Sequence, residues 1–192
     1  VKMDRPAQIP SLAECISLME QYAMLDNIRH HSLVVARLAA QIQQGLSDSP
    51  QATSPTNRQL VISGALLHDI AKTPCLNSNC DHAKEGGKIC RQHGYSEIAT
   101  IVEQHVLLWE YEPSRYAEGC FTEREIVYYA DKRVRHHSVV GLDKRLDYIL
   151  EHYGRGNPVL HRLIRKNFKK CVILEEYLFR FLPFAPNELG RY

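Results

Sequence analysis

Residues 60–74 read LVISGALLHDIAKTP, an apolar run that ends in His68-Asp69, then Lys72 and a proline. A helix this apolar is drawn into a core and carries the Asp69 carboxylate in with it. Burying an unpaired carboxylate costs several kcal/mol unless a partner neutralises it. The fold therefore has to bring something of opposite charge to Asp69.

Almost every other segment also reads as helix. Ser11 caps a helix to about Leu25, and Asp26 can cap the next, through about Gly45. SDSPQATSPTN (47–57) is loop chemistry, 58–72 a third helix stopped by Pro74, and CLNSNCD (75–81) a turn. A short helix over 82–92 follows, then one over 97–110 capped by Ser96. Thr122 and Glu125 make a capping box for 123–135, and 143–153 and 158–182 complete the set. With no β-hairpin signal and no internal repeat, the pattern predicts an all-α, single-domain bundle of about eight helices over 1–192.

Composition narrows the classes. The formal net charge of +2 gives no global pull toward nucleic acid or membrane, and no run of 18 apolar residues could span a bilayer. VKMDRPAQIP lacks an apolar signal core, which argues against export and for a cytoplasmic protein. Six cysteines in 192 residues are too few for a dense disulfide framework and read as reduced thiols. Cys75 and Cys80 bracket the loop before His82, and Cys90 follows, without the tight spacing of a zinc ribbon.

Helical periodicity separates inward from outward polar residues. His31 falls on the stripe of Ile28, Val35, Leu38 and Ile42, whereas His30 falls with Arg37 and Gln41 on the wet face. His105 lies on the stripe of Ile98, Ile101, Val102 and Leu108, and Asp131 on that of Val127, Ala130 and Val134. His82 shares a face with Gly86 and Ile89, and a Gly pair at 86–87 suits a closely approaching helix or ligand. Taken singly, each inward histidine is an ordinary hydrogen-bonded core residue. Together, His31, His68, Asp69, His82, His105 and Asp131 converge on one interior. One or two divalent cations would remove the cost, because imidazole and carboxylate suit Zn, Fe, Mn and similar ions.

The order His, His-Asp, His, His, Asp resembles the HD-domain superfamily of metal-dependent phosphohydrolases. RHHSLVVARLAA, GALLHDIAK, DHAKEGGKIC, IVEQHVLL and IVYYADKRV carry the resemblance, over about 26–150, leaving 151–192 as a C-terminal helical extension. Ala71 stands where many relatives have glycine after HDI. The resemblance implies that His31, His68, Asp69 and Asp131 hold one metal and that Asp69 bridges to a second, held by His82 and His105. The ions would be two of Fe, Mn, Zn, Ni, Co or Mg. It further implies hydrolysis of a phosphate ester, a small nucleotide or phosphometabolite, by metal-activated water. A di-iron oxygenase and a non-catalytic nucleotide sensor would use the same ligands.

Lys72, one turn after His68, could neutralise phosphate charge beside Asp69 in catalysis; its ordinary role would be a cation at a helix C-terminus. Arg133 and Arg135 could reach phosphate, and His136 or His137 could touch substrate. Arg162, Arg165, Lys166, Lys169 and Lys170 read as a solvated face or, more sharply, as an anion-guiding surface for a nucleotide or RNA, with no RNA-recognition motif to support the latter. ILEEYLFRFLPF (173–184) is apolar enough to dock on the domain or on a second copy of the chain in a homodimer.

Overall fold

A computed structural model describes residues 8–53, 55–78 and 80–191. Residues 1–7 of the stretch inspected for an export signal lie outside them, as do Ser54 and Asn79 of the two loops. The described residues form nine α-helices: α1 Leu12–Gln21, α2 Asp26–Asp48, α3 Arg58–Leu67, α4 Lys72–Cys75, α5 His82–Gln92, α6 Ser96–Gln104, α7 Glu123–Lys132, α8 Leu142–Tyr153 and α9 Pro158–Phe181. No helix among them is long and apolar enough to cross a membrane. The all-α expectation holds, with one addition: a two-stranded antiparallel hairpin, β1 Val134–Arg135 and β2 Ser138–Val139. RHHS lacks the Asn-Gly or Asp-Gly that announces a tight hairpin. His136 supplies the positive φ, 56°, instead.

The capping signals work where a side chain can reach back. Ser11 with Glu14, and Thr122 with Glu125, both close capping boxes. Two expected caps are corrected. Leu25 is the N-cap of α2 and Tyr95 that of α6, neither with a side-chain bond. Asp26 and Ser96 are the first helical residues instead, and there Asp26 still favours the positive helix end. Pro74 does not stop a helix; it sits in the first turn of α4, where its missing N–H is tolerated.

Helix α2 packs on α3 and α7, α6 packs on α3, α5 and α7, and α9 lies over α7 and α8. One hydrophobic cluster runs from Cys15 to Leu189 and takes in Phe168, Cys171, Leu174 and Leu178 of α9. The apolar stretch after the basic residues thus docks on its own chain, with Phe179, Phe181 and Phe184 against the core. Cys75 and Cys80 are joined by a disulfide, which corrects the expectation that all six cysteines are free thiols. The turn brings their Cα atoms to 5.1 Å, while Cys15, Cys90, Cys120 and Cys171 remain free.

The glycine pair of α5 is where α6 comes close. A Cβ at Gly86 would lie 2.7 Å from Val102 Cγ1 and 3.3 Å from Ile70 Cγ2. Gly86→Ala should therefore lower the unfolding free energy by roughly 1–2 kcal/mol in urea denaturation, because overpacking outweighs the helix propensity gained.

Candidate metal centre

Three of the central histidines are oriented by the same device. His68 Nδ1 donates to the Ala65 carbonyl at 2.6 Å, and His105 Nδ1 to the Val102 carbonyl at 2.6 Å. His31 Nδ1 donates to the His136 carbonyl at 2.8 Å, across the hairpin turn. A neutral imidazole that donates from Nδ1 presents Nε2 as a lone pair. The device also explains two helix ends that the sequence places too late. Helix α3 stops at Leu67 instead of 72, and α6 at Gln104 instead of 110, because His68 and His105 take carbonyls three residues back. Lys132 Nζ takes the His105 carbonyl as well, at 2.8 Å.

These lone pairs meet carboxylate oxygens. His31 Nε2 is 3.0 Å from Asp131 Oδ1, and His68 Nε2 is 3.5 Å from Asp69 Oδ2 and 3.8 Å from Asp131 Oδ1. His82 Nε2 and His105 Nε2 lie 3.4 and 3.5 Å from Asp69 Oδ1 and 3.2 Å from each other. Asp69 is 1% exposed, and both its Oδ1 and His68 Nε2 are buried without a hydrogen-bond partner. Two triads result, His31–His68–Asp69 and Asp69–His82–His105, each with ligand atoms within 4.8 Å of one another and sharing Asp69.

Acceptors facing acceptors are unstable unless a proton or a cation lies between them. Two ligands of one ion at about 2.1 Å, set at right or tetrahedral angles, sit roughly 3.0–3.4 Å apart. The donor set and spacing fit divalent metal.

Charged neighbours surround the carboxylates. Burial alone would raise the pKa of Asp69, but Lys72 and His68 outweigh it and hold the carboxyl well below its usual range. Lys72 Nζ is 2.8 Å from Asp69 Oδ2, and the pair raises the Lys72 pKa against its burial. Lys72 opens α4 and is not the C-terminal cation of α3. Asp131, likewise buried, is held well below its usual range by Lys132, His31 and Arg145. Lys132 and Arg145 were not singled out from the sequence. Lys132 adjoins Asp131 in α7, but Arg145 comes from α8, so only folding could show it there.

Arg133 is not placed to meet a phosphate. It is buried, and its guanidinium donates to the carbonyls of Val140 and Pro186, to Tyr129 Oη and to Glu175. It ties α7 to α9 and to the C-terminal segment. Arg135 is exposed and lies over the Tyr148 ring at 4.8 Å. His136 and His137 are exposed at the hairpin turn, and His136 serves through its carbonyl.

The sequence profile described as HD domain matches residues 28–136, and the chain belongs to the HD domain family. Over 98 residues it is 32% identical to a tRNA (cytidine(56)-2'-O)-methyltransferase of Picrophilus torridus, covering 50% of this chain and 26% of that protein. Over 99 residues it is 31% identical to the Thermoplasma volcanium protein of the same name, covering 51% and 26%. The chain thus spans about a quarter of the length of these relatives. No solved structure matches significantly.

Burial pulls the His105 pKa from 6.5 down to about 4, helped by His68 and His82 and opposed by Asp69. Between those pH values the unfolded chain binds a proton that the folded chain refuses. Its contribution is full above about pH 6.5 and is lost as pH falls to about 4, by roughly 3 kcal/mol. His68 works the other way, since Asp69 and Asp131 outweigh its burial and raise its pKa; its contribution is present in acid and lost as pH rises. With chelator present, His105→Asn should flatten the acid limb of a stability–pH curve relative to wild type, as read by urea midpoints.

Proposed function

We propose that the chain is a metal-dependent phosphohydrolase acting on a phosphate ester, a small nucleotide or related phosphometabolite. The observation that carries this reading is the orphaned pair His68 Nε2 and Asp69 Oδ1, buried and ringed by three further imidazoles. His31, His68, Asp69 and Asp131 would hold one ion, and Asp69, His82 and His105 a second. Bound there, divalent metal would lower the pKa of a water toward ~7 and polarise a phosphoryl oxygen.

The chain's own groups supply the rest. The backbone carbonyls of Ala65, Val102 and His136 fix the imidazole tautomers, so that little reorganisation accompanies metal or substrate binding. Lys72 and Lys132 anchor one oxygen of each carboxylate, Asp69 Oδ2 and Asp131 Oδ2, while Asp69 Oδ1 faces His82 and His105, and Asp131 Oδ1 faces His31. Lys72 is partly exposed and can also meet an incoming anion. The half-buried side of the cluster lies at His82, which offers an approach from solvent.

The relatives favour a second reading of the substrate. Their printed name concerns tRNA, and the likeness covers about a quarter of them, so we read it as a shared module and not as shared methyl transfer. In that case the ester belongs to an RNA, and the exposed Arg162, Arg165, Lys166 and Lys169 of α9 would follow its backbone. Salt-dependent binding of tRNA, weakened by charge reversal at Lys166 and Lys169, would favour this substrate.

With Mn, Fe, Co, Ni or Zn supplied, the protein should release phosphate from part of a nucleotide panel. Asp69→Ala should lose both bound metal, by elemental analysis, and phosphate release. Full turnover by metal-free protein, or metal-dependent oxygen consumption in place of phosphate release, would refute the reading.

A further inference from the structure

Four cationic side chains approach the two carboxylates or the hairpin beside them, and they differ in whether their hydrogen bonds are already used. Lys132 is committed to Asp131 Oδ2 and the His105 carbonyl. Lys72 bonds Asp69 Oδ2. Arg133, just behind them, is committed to Val140, Tyr129, Glu175 and Pro186. Arg145 is different. Its side chain is only 11% exposed, yet its guanidinium makes no hydrogen bond among the described residues. Nε is buried and unpartnered, and Nη2 stands 3.6 Å from Asp131 Oδ1, beyond hydrogen-bond range. A guanidinium has five N–H donors in a planar fork matched to carboxylate or phosphate. Asp131 meets the guanidinium by charge alone, and a buried Nε–H left without an acceptor is costly, so the fork has room for an oxygen anion besides Asp131.

Its surroundings sharpen the assignment. Arg145 lies 5.5 Å from the centroid of the Tyr148 ring, and Arg135 approaches the same ring at 4.8 Å. Two guanidiniums on one ring repel each other, and the π-face offsets this only in part. Arg135 is exposed while Arg145 is half-buried beside Asp131, so the two mark a cationic path from the hairpin to the centre.

We propose that Arg145 is the substrate-binding residue that grips the phosphoryl oxygens on the Asp131 side of the centre, with Arg135 drawing the same anion in from the surface. This assignment rests on the phosphohydrolase reading. It replaces Arg133, one of the two arginines that the sequence offered for this role, and keeps Arg135. The fork of Arg145 turns toward oxygens seated at the metal cluster, and Lys72 faces them from the Asp69 side. Charge on the phosphoryl group is thereby met from two directions by donors already in place.

The test is titration of manganese-loaded protein with inorganic phosphate and orthovanadate, by calorimetry, with metal content and melting temperature measured on the same samples. Hydrogen bonds to a charged group are worth a factor of roughly 10–100 in affinity. Arg145→Met should lose about that factor for both anions while keeping the metal content of wild type. Arg145→Lys, which restores charge but not the fork, should recover part of it and guards against a folding defect in the first variant. Anion affinity within twofold of wild type in Arg145→Met overturns the proposal. So does parallel loss of metal and anion in both variants, which would make Arg145 a positioning residue for Asp131. If manganese-loaded wild type binds neither anion, the phosphohydrolase reading itself falls and this assignment with it.

Discussion

The Asp69 carboxylate is the constraint around which the molecule is arranged. It is carried inward at the end of an apolar helix, and its charge is kept because Lys72, His68, His82 and His105 close round it. No single neighbour would suffice, since a lone buried pair barely repays the desolvation of its two ions. The groups arrive from α4, from the turn after α3, from α5 and from the end of α6, so the packing of those elements and the neutralisation of Asp69 are one problem. The close approach of α5 and α6 through Gly86 is part of that solution, because it sets His82 and His105 side by side.

The second carboxylate shows how a fold divides labour among cations. Asp131 gathers Lys132 from its own helix, His31 from α2 and Arg145 from α8. Lys132 is locked in place. Arg133, one residue on, is spent on holding α9 and the C-terminal turn through Glu175 and Pro186. The hairpin between α7 and α8 then does two things with six residues. It aims the His136 carbonyl at His31, and it carries Arg135 to the ring of Tyr148. The left-handed backbone at His136 is costly for a residue with a Cβ, and a carbonyl needed at that spot gives it a use.

Much of the candidate site was legible because helical periodicity is a strong signal. It separated His31 from His30, which structure places buried and exposed respectively, and it set His105 and Asp131 on apolar stripes. The capping boxes at Ser11 and Thr122 were legible because the whole motif lies within four residues. Arg145 was not, because nothing in LDKRLDYIL distinguishes it from a surface arginine. The choice between Arg133 and Arg145 depends on partners 42 and more residues away from the first and 14 from the second.

What the sequence by itself determined is the set of amphipathic helices, the residues each turns inward and the surplus of imidazole and carboxylate among them. These follow from a 3.6-residue period and from local capping. What only the tertiary structure decided is where α3 and α6 stop, which nitrogen each histidine offers and which cations reach the two carboxylates. A ring nitrogen bonded to the Ala65 or Val102 carbonyl ends the helix and aims the opposite nitrogen inward. That bond competes with the next helical N–H, and the competition is settled by whether the far side of the ring meets a carboxylate from another element.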